Sequence, residues 1–138
     1  YYDVYKFEPG KDDIIREGKA GYVVTYGEVL YRALDAVERA REEGIDVGLI
    51  NKTTLNVPDE AALKRAGAAP FVLVAEGQNA ETGLGVRYGT WLVERGHAPR
   101  FGRMGVTRAG IGGQAEQIPH QGLDPDSILA RIRKLAAK

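Results

Sequence analysis

There is no cysteine among the 138 residues, which excludes disulfide scaffolds, thiolate zinc sites and cysteine nucleophiles at once. Serine is nearly as scarce. The one serine, Ser127, has no nucleophile elbow around it, and its place in the first turn of an expected helix assigns it to helix-end hydrogen bonding. The two histidines, His97 and His120, stand far apart in glycine- and proline-containing loops, without the i, i+4 spacing of a metal site. Net charge is absent as well: nineteen Lys plus Arg face nineteen Asp plus Glu, so no global field draws in nucleic acid or an anionic bilayer. No apolar run approaches the ~18 residues of a membrane span, and the start YYDVYKFEPG lacks the basic and apolar regions of a signal peptide. A cytoplasmic protein without membrane or nucleic-acid partners is the expectation. No P-loop sequence occurs. The turn after the first long apolar strand is Tyr26-Gly27-Glu28-Val29, not the glycine-rich turn that lets backbone approach a dinucleotide's pyrophosphate.

What remains is the profile of one ordinary domain, 43% hydrophobic and 28% charged, large enough to build a core without disulfides or structural metal. The chain begins at Tyr1 rather than at Met, so a piece of something longer is expected. Its amino end sharpens that expectation. Tyr1, Tyr2, Tyr5 and Phe7 place four of the eleven aromatics in the first seven residues, and large aromatics need a surface to pack against. Two readings stand side by side: the segment folds onto its own domain, or it is made for a neighbouring domain or subunit.

After Pro9-Gly10 the pattern becomes regular. Residues 12–16 suggest a short edge strand ahead of a tight turn at Gly18-Lys19-Ala20-Gly21. Tyr22 to Tyr26 is β-branched and aromatic throughout, as a strand covered on both faces requires. From Glu28 the period becomes helical, with Leu30, Ala33, Leu34 and Val37 in one stripe, Glu28/Arg32 and Asp35/Arg39 at i, i+4, and Gly44 as the stop. The unit then recurs: a strand over 45–50, a helix opened by Pro58-Asp59-Glu60 and stopped at Gly67, a strand over 70–75, and a helix over about 85–95 stopped at Gly96. A weak strand follows over 101–106. The last helix is capped by Asp124 with Pro125 at N1, and carries Ile128, Leu129, Ile132 and Leu135 as its stripe. Strands alternating with helices predict a mostly parallel sheet covered on both faces. Residues 107–123 are expected to be irregular.

Polar residues gather where strands end. Tyr26-Gly27-Glu28, Asn51 to Thr54 and Glu76 to Asn79 each follow the carboxyl end of an expected parallel strand, so Glu28, Lys52, Thr53, Glu76 and Gln78 should crowd one edge of the sheet. In open α/β folds ligands bind at that edge. It is also where connecting loops are polar in any case, and where a neighbouring domain could dock. Gly83-Leu84-Gly85 copies half of a phosphate-loop spacing, as a helix start or close-packing feature or as an anion site. Five arginines between Arg87 and Arg108, with Tyr88 and Trp91 on the helix among them, suit a solvated or interdomain surface better than a nucleic-acid stripe.

Several of these segments resemble a known family. Residues 18–27, GKAGYVVTYG, are similar to the "reGkD-x-tivayG" opening of the carboxy-terminal domain of transketolases and of the beta chains of 2-oxoacid dehydrogenases. Ala33 to Val37 and Gly44 to Val47 resemble its following helix and strand. LINKTTLNVPDEAAL, residues 49–63, resembles "vidlrtlkPlDeeal", with departures at Asn51, Lys52 and Asn56 and with Val57 inserted before the proline. FVLVAEG, residues 71–77, followed by Gly83-Leu84-Gly85, is similar to the "lvvvEe" strand and its turn. The order and spacing of these segments carry the resemblance, from about Asp12 to Arg95 and more loosely through the last helix. The glycine-rich 107–123 region departs from the pattern.

The resemblance implies a three-layer α/β/α domain with a five-stranded sheet whose first strand runs antiparallel to the rest. It divides the chain into an aromatic linker segment from a preceding domain, residues 1–10, and a transketolase C-terminal-like domain, residues 11–138. It also implies that thiamine diphosphate and its divalent cation belong to other domains of the parent enzyme; no Gly-Asp-Gly metal motif occurs here. No catalytic, cofactor-binding or metal-binding residue is therefore assigned to this chain. The implied function is a structural and dimerisation domain, inactive alone, of an enzyme transferring ketol or acyl units. Its partners are other domains or subunits of the parent and a second copy of itself, with Tyr1, Tyr2, Tyr5, Phe7, Tyr88 and Trp91 as candidate interface residues. The alternative is a free-standing α/β module that binds a small anionic regulator at the carboxyl edge of its sheet.

Overall fold

The computed structural model describes residues 4–110 and 113–137. In chain order the elements are β1 (Asp13–Arg16), β2 (Gly21–Thr25), α1 (Val29–Glu42), β3 (Val47–Asn51), α2 (Glu60–Ala68), β4 (Phe71–Asn79), α3 (Leu84–Glu94), β5 (Arg100–Val106), α4 (Gln114–His120) and α5 (Pro125–Ala136). They build one five-stranded sheet in the order β1-β3-β2-β4-β5. β1 pairs antiparallel with β3, and every other pairing is parallel. This is the three-layer architecture, first strand antiparallel, that the family resemblance implies.

Successive side chains on a strand point to opposite faces, so the apolar runs of β2 and β4 feed two cores at once. Val23, Leu49, Phe71 and Leu73 pack against α1 and α5 with Ala33, Val37, Ile128 and Ile132. Tyr22, Val24, Ile50, Val72 and Val74 face α2 and α3 with Leu63, Leu84, Tyr88 and Leu92. The α1 stripe is turned slightly from the expected one: Val29, Ala33, Ala36, Val37 and Ala40 are buried, while Leu30 and Leu34 are half-buried at its margin. Small residues along that stripe let α1 lie close on the sheet. Gly44 (φ 87°) and Gly96 (φ 76°) end α1 and α3 in the left-handed conformation open to glycine. Asp124 caps α5, accepting from the Ser127 amide at 3.2 Å and the Ser127 hydroxyl at 2.6 Å, which is the helix-end role expected of the lone serine.

Four expectations are corrected. Gly67 does not stop its helix. It lies inside α2, buried, where a Cβ would stand 2.5 Å from His97 Cγ, so it permits close approach of the loop after α3. Residues 107–123 are not all irregular, because Gln114–His120 form α4 with Pro119 in the last turn. β4 continues past Ala75 to Asn79, taking Glu76, Gly77 and Gln78 into the strand. Tyr88 is 1% exposed, a core residue and not an interface one. Trp91 is half-buried beside it, the rings 6.1 Å apart and inclined at 60°. Tyr1 and Tyr2 lie outside the described residues; Tyr5 and Phe7 are exposed, Phe7 at 55%. Among the described residues no helix is long and apolar enough to cross a membrane.

Candidate functional site

From β2 the chain passes through α1 to β3 on one side, then through α2 to β4 on the other, so the strand order reverses between β2 and β4. In open α/β sheets the ligand crevice lies outside the carboxyl ends of the strands at such a reversal. Thr25 is level with Asn51 of β3 and with Ala75 of β4. The next residues, Tyr26, Lys52 and Glu76, therefore share the carboxyl edge, as the sequence pattern anticipates.

Glu76 occupies the α3 side of this edge. Its side chain is fully buried, and Oε1 accepts from the Leu84 amide at 2.9 Å while Oε2 accepts from the Gly85 amide at 2.8 Å. Those are the first free amides of α3, where unpaired N–H groups and the helix dipole together favour an anion. The anion is supplied by the chain itself. The glycine spacing at 83–85 serves this contact: a Cβ on Gly83 would stand 2.2 Å from Glu76 Oε1, and one on Gly85 would stand 2.8 Å from Arg103 Cβ. From the other side of the reversal the Tyr26 hydroxyl donates to Glu76 Oε1 at 2.8 Å. Burial, then the bond to Glu76 and its charge, raise the Tyr26 phenol well above its ordinary range, so it stays a proton donor.

A second polar cluster lies beside the first. Lys52, 1% exposed, donates to Asp12 Oδ1 at 2.9 Å and to the Val57 carbonyl at 2.7 Å, and its ammonium lies 5.6 Å from the centre of the Trp91 ring. Burial, with Asp59 and Asp13 adding to it, pushes the Asp12 carboxyl up to about 6 against the opposing pull of Lys52. The Asp12 amide donates to Asp59 Oδ2 at 2.8 Å, the Thr53 hydroxyl to the Lys11 carbonyl at 2.5 Å, and the Gly10 amide to Thr54 Oγ1 at 2.9 Å. Lys52 and Thr53 thus fasten the segment entering the domain. Glu28 stands at the amino end of α1, its Oε1 3.1 Å from where a Gly77 Cβ would be, and Gln78 is exposed on β4.

The five candidate residues share an edge; four of them divide between two tasks, and Gln78 takes part in neither. Glu76 takes the α3 amides with Tyr26 bonded to it, Glu28 stands alongside, and Lys52 and Thr53, with Thr54, tie down residues 10–12. Their partner Asp12 is not singled out by the sequence, and Tyr26 is placed at the edge by it without a partner. Nothing in spacing announces a pair separated by 40 positions, and the Tyr26 hydroxyl is visible as a partner only once β2 and β4 are neighbours. The histidines hold loops: His97 packs on Gly67, and His120 Nε2 lies 2.8 Å from the Ala109 carbonyl oxygen. Among the described residues no group of three or more His, Asp or Glu could hold a metal ion. The clusters brace the fold and present no activated nucleophile.

Comparison with known proteins agrees with this fold. Residues 10–128 match the model of the family described as transketolase, C-terminal domain. The chain is 30% identical over 131 residues to one of the subunits of the apulose-4-phosphate transketolase of Actinobacillus succinogenes, covering 92% of this chain and 42% of that protein. It is 30% identical to a putative transketolase C-terminal section of Methanocaldococcus jannaschii, covering 91% and 40% respectively. It is 29% identical to 1-deoxy-D-xylulose-5-phosphate synthase of Brevibacillus brevis, of which it covers 21%. A solved structure titled split gene transketolase, inactive beta4 tetramer, superposes with a TM-score of 0.88 at 23% identity, over 96% of this chain and 44% of that one. The chain spans about two-fifths of the length of the first of these relatives.

Proposed function

Because the chain belongs to the transketolase C-terminal domain family, we propose that it serves a thiamine-diphosphate-dependent ketol- or acyl-transferring enzyme as an architectural domain. It braces the other domains or subunits of that parent, associates with a second copy of itself, works in the cytoplasm, and is inactive alone. The observation that carries the reading is Glu76. At the strand reversal, where this kind of sheet would take a ligand, the amides that open α3 are already taken by the chain's own carboxylate. A diphosphate offered to that helix end would meet a buried negative charge, and the chain has neither the Gly-Asp-Gly motif nor, among the described residues, a carboxylate set for a divalent cation. The residues here do not fit the cofactor, so no reaction step is assigned to them.

The same observation counts against a free-standing regulator-binding module at that edge. The clamp on residues 10–12 suits a domain that must hold a fixed position relative to whatever precedes it. Sequencing the coding DNA upstream of Tyr1 tests the reading. A Gly-Asp-Gly-containing region in the same or the adjacent reading frame is the expected result. A start codon near Tyr1 with no such neighbour would overturn it.

A further inference from the structure

Beyond the crevice, between the β5 edge and α5, a groove of about 440 Å³ is lined by Arg103, Arg131 and Lys134 with Thr107, Gln121 and Ser127, and no carboxylate lines it. Its size lies within the ~300–1,000 Å³ range of small-molecule sites. The charges around it are unevenly matched. Arg133, on the same helix, pairs with Glu43, and Arg100 Nε donates to the Leu135 carbonyl at 2.8 Å, so the carboxyl end of α5 already has its cation. Arg103 donates to the Ala80 carbonyl and stands 3.6 Å from Glu81. Neither Arg131 nor Lys134 has a carboxylate partner among the described residues. Asp124 is occupied by Ser127, and Asp126 is paired with Arg39.

The groove is also held in shape. Half-buried Arg131 lies on the strand backbone because residue 102 is glycine: a Cβ there would stand 3.0 Å from Arg131 Nη2 and 3.1 Å from Leu135 Cδ1. Across from it, Gln121 accepts from the Thr107 and Arg108 amides at 3.1 and 3.2 Å and donates to the Arg108 carbonyl at 3.0 Å, fixing the end of β5. A planar guanidinium fork beside a flexible ammonium is the donor set that suits tetrahedral phosphoryl oxygens, the fork binding in bidentate fashion and the ammonium as a point charge. We propose that this groove binds the phosphoryl group of a small phosphorylated molecule, held by the Arg131 fork and by the Lys134 charge. The site is separate from the α3 amides taken by Glu76 and does not depend on the architectural reading.

The test is titration of the 138-residue chain with inorganic pyrophosphate, followed by amide chemical shifts, with citrate as a carboxylate of comparable charge. Saturable shifts centred on residues 102–107 and 127–134 are expected, with a Kd on the order of 0.1–1 mM that weakens as salt is raised. Arg131→Ala and Lys134→Ala should each raise Kd about tenfold, and Arg131→Lys, which keeps charge but loses the fork, should resemble the alanine variant. Arg133→Ala should stay within about twofold of the parent, because its partner is Glu43. Retained shift dispersion confirms that each variant is folded. Shifts that do not saturate by about 10 mM, a Kd unchanged in Arg131→Ala, or citrate binding as tightly as pyrophosphate would each overturn the proposal.

Discussion

Replacing Glu76 by alanine would leave the Leu84 and Gly85 amides and the Tyr26 hydroxyl without their acceptor in a fully buried position. Each orphaned buried donor costs ~1–3 kcal/mol, and removing a desolvated carboxylate returns part of that sum, so a net loss of about 3–5 kcal/mol is expected. For a chain of this length that corresponds to a fall in melting temperature of ~10–15 °C. Glu76→Gln keeps one oxygen acceptor but turns an amide N–H toward another N–H, and should fall between Glu76→Ala and the parent. Tyr26→Phe removes one bond and leaves both α3 amides satisfied, so it should cost only about 1 kcal/mol. Urea unfolding followed by far-UV circular dichroism measures all three. A Glu76→Ala loss below about 1 kcal/mol would show that burial of the carboxylate cancels its bonds, and Tyr26→Phe costing as much as Glu76→Ala would show that the helix end is not what the carboxylate serves.

Asp12 gives a pH dependence with a definite sign. Its carboxyl is raised from 3.8 in the unfolded chain to about 6 in the folded one, so between those values the folded state binds more protons and stability falls as pH rises. Urea unfolding from pH 4 to 7 should show that fall in the parent and its loss in Asp12→Asn; an identical slope in both would contradict it. Lys52→Met should destabilise the chain by about 3–5 kcal/mol at pH 7 by stranding Asp12, and by less in the Asp12→Asn background; equal losses would remove the pair from the account. Gly67→Ala should lower stability by ~1–3 kcal/mol through its collision with His97, whereas a gain near 1 kcal/mol would mark Gly67 as an ordinary helix glycine. Sedimentation velocity over a hundredfold concentration range should show a weak homodimer that is lost when residues 1–8 are removed. A constant monomer, unchanged by that deletion, would show that the aromatic stretch is no assembly surface.

The elements legible from sequence are those whose local signals agree with their burial. β2 and β3 are apolar without interruption because both faces are covered, and Gly44, Gly96 and the Asp124-Pro125 pair mark helix ends whose caps lie in the adjacent residues. The misread segments are those where a distant partner decides. Glu-Gly-Gln-Asn after Ala75 suggests a loop until α3 is seen to supply the amides that admit a carboxylate into a strand. Gly67 suggests a stop until His97 arrives against it. α4 is short, preceded by glycines in the sequence and carries Pro119 in its last turn, so nothing in its periodicity separates it from a turn. Tyr88 and Trp91 at helical spacing fit a core or an interface equally well, and the choice falls to whichever surface lies opposite, here the buried Lys52 and the α2–α3 side of the sheet. At the candidate site the polar residues are visible as a group, but the bonds from Lys52 to Asp12 and from Tyr26 to Glu76 are not, since they span 40 and 50 positions.

The proposal at the centre is that this chain is architecture, with the amides opening α3 at the strand reversal already occupied by Glu76. Isothermal titration calorimetry of the chain with thiamine diphosphate in the presence of magnesium tests it most directly. No magnesium-dependent, stoichiometric heat in the micromolar range is expected, only the weak diphosphate binding of the Arg131 groove, on the order of 0.1–1 mM. A stoichiometric, magnesium-dependent affinity tighter than about 10 μM, roughly −7 kcal/mol, would contradict it.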